Sequence, residues 1–165
     1  MIAAPSAHPC VKMYSDLAGN CKSVAEMIHV GKVPVTMCKG FFKDSCGALS
    51  RVPDTASNKL KAYKKVIDGL IFPQPRKIFL QLPEGTTIGR CQRPLRAQTA
   101  QGERIALATS ETVPAGTTIE FSILILDDKL EKLVMELLDY AQLRGLGQWR
   151  NSGKGRATYE VIKAE

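Results

Sequence analysis

The run that most constrains this chain lies in its last third, where two strand patterns flank a helix pattern and a glycine-dense loop. Thr117-Thr118-Ile119-Glu120-Phe121 alternates in polarity, and Ser122-Ile123-Leu124-Ile125-Leu126 becomes continuously apolar, as a central strand does. Leu130, Leu133, Val134, Leu137, Leu138 and Ala141 then recur at helical spacing, giving one apolar face. Asp127 and Asp128 suit the start of that helix, Arg144 suits its end, and Gly145 can take the conformation that stops it. Ala157-Thr158-Tyr159-Glu160-Val161-Ile162 alternates again and reads as a last strand. If the two strands are parallel neighbours, the helix is their right-handed crossover, one half of a ferredoxin-like split unit. The expected fold class is therefore α+β.

Upstream, Arg76 to Leu82 and Ile105 to Thr109 are strand patterns, and Asn58 to Leu70 spaces Leu60, Tyr63, Ile67 and Leu70 as a helix capped by Asn58. Residues 84–104 are polar and basic with little apolar periodicity, and read as a basic loop or a long hairpin arm. The first 50 residues, broken by Pro34, Gly40 and Gly47, yield only a short helix pattern over Ser23 to Ile28. No repeat or linker divides the chain, so we expect one domain over residues 1–165.

Composition narrows the functional classes. The chain holds 23 Lys and Arg against 16 Asp and Glu, a net charge of +7, with 44% hydrophobic residues. That balance excludes a disordered tail, and no apolar run is long enough to cross a bilayer, so no membrane role is expected. The opening residues 1–9 lack a basic start followed by an apolar stretch, and the expected location is cytoplasmic. The basic residues are grouped: Lys59, Lys61, Lys64 and Lys65; Arg76 to Arg104; and Arg144, Arg150, Lys154 and Arg156. Between the last two groups, Asp127 to Leu143 carries five acids and two lysines. Grouped positive charge suits a phosphate backbone, and equally suits solubility.

Five cysteines show no Cys-x-x-Cys pair, which favours reduced, mostly buried thiols. A zinc site drawn from His8, Cys10, Cys21, His29, Cys38 and Cys46 has the ligand types but lacks the short paired spacings, so neither metal nor cofactor is expected.

The loop from Gly145 to Arg156 places four glycines, two arginines, one lysine and the only tryptophan between the helix and the last strand. Glycines let backbone N–H groups converge on an anion, while Arg150, Lys154 and Arg156 supply charge. Trp149 can stack on a base or hold the loop down by burial. The competing reading is a turn whose glycines only permit close packing. It is not a P-loop, because Gly153-Lys154 is followed by Gly155 where Ser or Thr is needed.

Val113-Pro114-Ala115-Gly116-Thr117-Thr118-Ile119-Glu120-Phe121, then a helix, then Gly145-Leu146-Gly147 through Asn151-Ser152-Gly153-Lys154-Gly155-Arg156, resembles the C-terminal half of the CRISPR-associated RAMP superfamily. The type III RNA-spine subunits are the nearest in pattern. Gly40-Phe41-Phe42-Lys43-Asp44-Ser45-Cys46-Gly47-Ala48-Leu49-Ser50-Arg51 is similar, more loosely, to another segment of those subunits. The resemblance implies a ferredoxin-like, RRM-related domain that holds guide-like, single-stranded RNA by its backbone beside the glycine-rich loop. It carries Gly145, Gly147, Arg150, Ser152, Gly153, Gly155 and Arg156 onto the binding role. This chain is short for such a subunit and has Leu146 where a second loop glycine stands, so a stripped-down or viral relative also fits.

The expected function is RNA binding through that loop, with Trp149 and Lys154, and through Arg90, Arg93 and Arg96 on the arm, with protein partners in a ribonucleoprotein assembly. A protein-interaction module that imitates or blocks an effector subunit is the first alternative. An endoribonuclease is the second, for which only His8, His29, Asp16 and Asp44 are available and no surrounding motif singles one out.

Overall fold

Strand β8, Thr118–Ile125, is the rail on which the main sheet is assembled in the computed structural model, which describes residues 10–15, 22–23, 31–147 and 150–162. Along one side it pairs antiparallel with β1, Cys10–Ser15. Along the other it pairs with β4, Ile71–Gln74, and then with β5, Lys77–Gln81. β5 carries β3, Lys32–Pro34, and the far side of β1 carries β9, Ala157–Ile162. The order is β3-β5-β8-β1-β9, with β4 beside β5 on the same edge of β8.

Contrary to expectation, β8 and β9 are not parallel neighbours. They run the same way, since both are antiparallel to β1, but β1 lies between them. The intervening helix therefore crosses over one strand, which is the split arrangement of a ferredoxin-like α+β fold. Lys12 in the middle of β1 faces Glu120 on one side and Glu160 on the other, so charge as well as apolar patterning sets the register.

The helical layer covers one face of this sheet. α1 is Val35–Leu49, α2 Ala56–Lys59 and α3 Tyr63–Leu70; a short 3-10 turn leads into α4, Glu131–Asp139, and α5, Ala141–Arg144. All six residues of the expected apolar stripe, Leu130 to Ala141, are buried, with Leu137 and Leu138 at 0% exposure. Each such leucine contributes roughly 2 kcal/mol by leaving water. They meet Val11 and Met13 of β1, Phe121 and Ile123 of β8, and Phe41, Phe42 and Cys46 of α1 in one core. Asp127 caps the start as expected, its Oδ1 accepting the Lys129 N–H at 3.1 Å. No helix of the described residues is long and apolar enough to cross a membrane.

The expected helix over Asn58 to Leu70 is broken in two. Ala62 has φ +52°, a left-handed conformation that ends one helix direction and starts another. Asn58 does not cap; Thr55 does, accepting the Asn58 N–H at 3.0 Å, and α2 forms ahead of the break. Ahead of the break, Glu136 of α4 reaches across and accepts hydrogen bonds from Ala56 N–H at 2.7 Å, Ser57 N–H at 3.1 Å and Ser57 Oγ–H at 2.5 Å. α2 is thereby held against α4 while α3 turns Ile67 into the core. The four lysines of this segment consequently do not share one helix face. Substituting Glu136→Ala leaves three donors without their acceptor, and should lower the unfolding free energy by about 2–3 kcal/mol in urea titration with the m-value unchanged.

The basic arm is a hairpin. β6, Gly89–Thr99, and β7, Gly102–Val113, pair over their full length, with Gly102 at φ +106° closing the turn. At this length it extends about 35 Å. At its base β7 also pairs with β2, Lys22–Ser23, through Thr112 and Val113, making a three-stranded sheet of its own. The helix pattern over Ser23 to Ile28 meets strand at Ser23, and its remainder lies outside the described residues.

Candidate nucleic-acid interface

α1 was not foreseen as a helix, and it organises the basic surface. Gly40, Lys43, Asp44, Gly47 and Ala48 are spaced along one of its faces and, with Arg51 in the turn after it, line a groove closed by Tyr63 and Lys64 of α3, Arg144 of α5, and Arg150. The groove is open and measures about 640 Å³, and its lining brings five basic side chains together with one carboxylate, Asp44. Gly47 sits here because Tyr63 leans on the helix: a Cβ at this position would lie 2.8 Å from the Tyr63 hydroxyl.

Asp44 Oδ2 accepts from Arg144 Nε and from Arg150 Nη1, each at 2.9 Å. The hydrogen bond to Asp44 holds Arg144 above its ordinary pKa, so it is a permanent cation. Exposure of these side chains is 32% for Arg144, 23% for Arg150 and 33% for Asp44. Water therefore reaches both pairs, and each is worth at most about 1 kcal/mol. Lys43 Nζ lies 2.6 Å from Asp68 Oδ1 on α3, while Arg51 and Lys64 make no ion pair among the described residues.

The glycine-rich loop straps this groove to the hairpin. Gly145 and Gly155 press backbone on backbone: a Cβ on Gly145 would lie 2.6 Å from the Lys154 carbonyl oxygen, and one on Gly155 would overlap the carbonyl oxygen of Leu146. Leu146 N–H donates to Gly155 O at 2.8 Å across the same crossing. For these two residues the packing reading of the loop holds. Gly147 and Gly153 also have positive φ, +82° and +79°, but at Gly153 an added Cβ meets nothing nearer than the Arg156 guanidinium at 4.0 Å.

Arg150 at one end of the loop faces α1, while Lys154 further on points to the hairpin, its Nζ 3.9 Å from Cys91 Sγ. Ser152 and Arg156 are exposed, and Trp149 lies outside the described residues.

The three expected arm arginines do not share a face. In the hairpin register Arg93 and Cys91 point to one side, and Arg93 is half-buried there; Arg90 and Arg96 point to the other. Arg90 stands opposite Glu111, and Arg96 approaches Glu103 at 3.7 Å in open solvent. Among them Leu95, Ile105 and Leu107 are 46%, 63% and 66% exposed, Ile105 and Leu107 on the face of Arg90 and Arg96 and Leu95 on the face of Arg93.

Cys38 and Cys46 are buried in α1, and burial pushes the Cys38 thiol up to about 12, which keeps it neutral. Burial also raises Cys46, opposed by its side-chain contact with Ser57 and reinforced by the Glu136 charge. No group of three or more His, Cys, Asp or Glu is placed to hold a metal among the described residues. His8, His29, Cys21 and Asp16 lie outside them, and Asp44 is engaged by two arginines.

No protein-family model and no curated protein matches the sequence. Among solved structures, a chain of the type III-B Cmr-beta bound to cognate target RNA, determined by cryo-EM, superposes with a TM-score of 0.59 at 11% identity. That match covers 96% of this chain and 62% of the other, so this chain spans less than two thirds of its length. A chain of a type IV-B CRISPR complex superposes with a TM-score of 0.51 at 13% identity, over 94% of this chain and 90% of that one. The likeness is one of fold.

Proposed function

We propose that this protein is a single-domain, RAMP-type RNA-binding subunit of a CRISPR ribonucleoprotein, holding single-stranded, guide-like RNA by its backbone. The observation that carries the reading is the groove, where Lys43, Arg51, Lys64, Arg144 and Arg150 converge from four parts of the fold around one acid. Scattered surface lysines serve solubility; five cations lining one concave surface suit a run of phosphates. The strap from Arg150 to Lys154 continues that surface toward the hairpin base. Ile105 and Leu107, exposed on one face of the hairpin, add a surface suited to a neighbouring subunit. The fold neighbours, both chains of CRISPR assemblies and one of them with target RNA bound, support the same assignment.

Filter binding of a single-stranded RNA at 50 and 200 mM salt tests it. Binding at low salt should weaken linearly in log–log form as salt rises, and Arg150→Ala with Arg156→Ala should flatten the slope by about 1.4, two single-strand phosphate contacts. Absence of binding at low salt, or an unchanged slope in the double variant, overturns the reading.

A further inference from the structure

We infer that Asp44 is the groove's built-in counter-ion, a specificity-determining residue that holds the arginine pair until an RNA phosphodiester displaces it. This rests on the RNA-binding reading above, and it concerns a residue the sequence offered only as an acid for catalysis.

Three observations carry it. Asp44 is the one carboxylate in a lining that otherwise contributes five cations. It lies on the groove face of α1, one residue after Lys43, among the cations that an anion in the groove would meet. It engages both arginines through the same atom, Oδ2, at 2.9 Å each, while Oδ1 makes no hydrogen bond among the described residues. Two guanidiniums sharing one oxygen lack the two-pronged geometry that makes arginine–carboxylate pairs strong. Asp44 also has a second oxygen, but it is fixed to α1 and presents only Oδ2 to the pair; a phosphodiester is not tethered there and can place one non-bridging oxygen against each guanidinium, so neither has to share.

The same carboxylate repels any anion that cannot make that exchange. A small anion, or a polyanion whose charges are spaced differently from RNA phosphates, meets Asp44 without reaching both arginines. Asp44 thus lowers affinity for anions in general and lowers it least for a phosphodiester chain.

The test compares the full chain with Asp44→Asn, which keeps the shape and removes the charge. Fluorescence anisotropy follows binding of a 15-nucleotide oligouridine and of heparin, each at two salt concentrations. The variant should bind oligouridine about tenfold more tightly at low salt, with a slope steeper by about 0.7, one further phosphate equivalent. Heparin should gain more than oligouridine does. Asp44 also ties both ends of residues 144–150 to α1, so a purely structural staple predicts the reverse: a lower melting temperature and weaker RNA binding. Wild-type binding with no gain in the variant overturns the inference and leaves the functional reading intact. Binding by neither protein overturns both. If Asp44→Asn does not fold, Asp44→Ser carries the same expectation, and failure of both to fold makes Asp44 a staple and ends the proposal.

Discussion

Substituting Gly155→Ala should destabilise the protein by about 3–5 kcal/mol and abolish RNA binding, while Gly153→Ala, two residues away, should cost only about 1–2 kcal/mol. Both glycines have left-handed φ, +76° and +79°, so an alanine at either position bears a backbone penalty of about 1–2 kcal/mol. The difference is what a Cβ meets. At Gly153 the nearest group is the flexible end of Arg156 at 4.0 Å, which can move aside. At Gly155 it is the Leu146 carbonyl, held by the crossing in which Leu146 N–H bonds Gly155 O. Relief there requires the two backbone segments to separate, which withdraws Leu146, only 8% exposed, from the core and breaks that bond. The loop would then lose the register that sends Arg150 to α1 and Lys154 to Cys91. Urea unfolding of the two variants beside wild type measures the difference. Equal losses at the two positions would mean that the crossing does not lock the loop.

Legibility tracked how local the determining interactions are. The stripe from Leu130 to Ala141 and the alternation from Ala157 to Ile162 each carry their periodicity within one element, and both were placed correctly. α1 escaped because its buried face is made from Cys38, Phe41, Phe42, Ser45 and Cys46, with small and polar side chains standing in for aliphatic ones. Gly40 and Gly47, each unfavourable in a helix interior by about 1 kcal/mol, further disguised it. Counting Cys as apolar from Val35 to Leu49 restores the spacing. The break at Ala62 had no local signal, and the contact that holds α2 against α4 comes from Glu136, 79 positions along the chain from Ser57. The insertion of β1 between β8 and β9 is likewise a property of topology.

The candidate site divided along the same line. The glycine-rich loop was recognisable, but which glycines serve packing and which leave room for a ligand depends on what lies opposite each. The cationic partners Lys43, on α1, and Arg51, in the turn just after it, were missed with that helix. Lys64 and Arg144 were visible as members of basic clusters, with nothing to show that they face one another across a groove. On the arm, Arg90, Arg93 and Arg96 were grouped by proximity along the chain. Period-two alternation, once the segment is known to be a hairpin, sends the middle one to the opposite face.

Reversing the two groove cations that make no ion pair should separate the fold from its function more cleanly than any other change. Arg51 is exposed in the turn after α1 and Lys64 is exposed on α3, so Arg51→Glu with Lys64→Glu removes no hydrogen bond or salt bridge that the described residues make. The melting transition should stay within the range of ordinary surface substitutions, about 0.5 kcal/mol. RNA binding should fall far more. The charge facing the phosphates changes by four units, and at roughly 0.5–1 kcal/mol for each unit near a surface phosphate the loss is about 2–4 kcal/mol. That corresponds to about a hundredfold weaker binding at low salt, narrowing as salt screens the repulsion. The comparison to make is Kd at 50 and 200 mM salt for wild type and the double variant, beside the same pair of reversals at Lys59 and Lys61, which lie outside the groove lining. If RNA runs through the groove, the Arg51 and Lys64 reversals must weaken binding well beyond the Lys59 and Lys61 reversals. If the two pairs weaken it alike, net charge alone governs binding and the groove has no particular claim on the RNA.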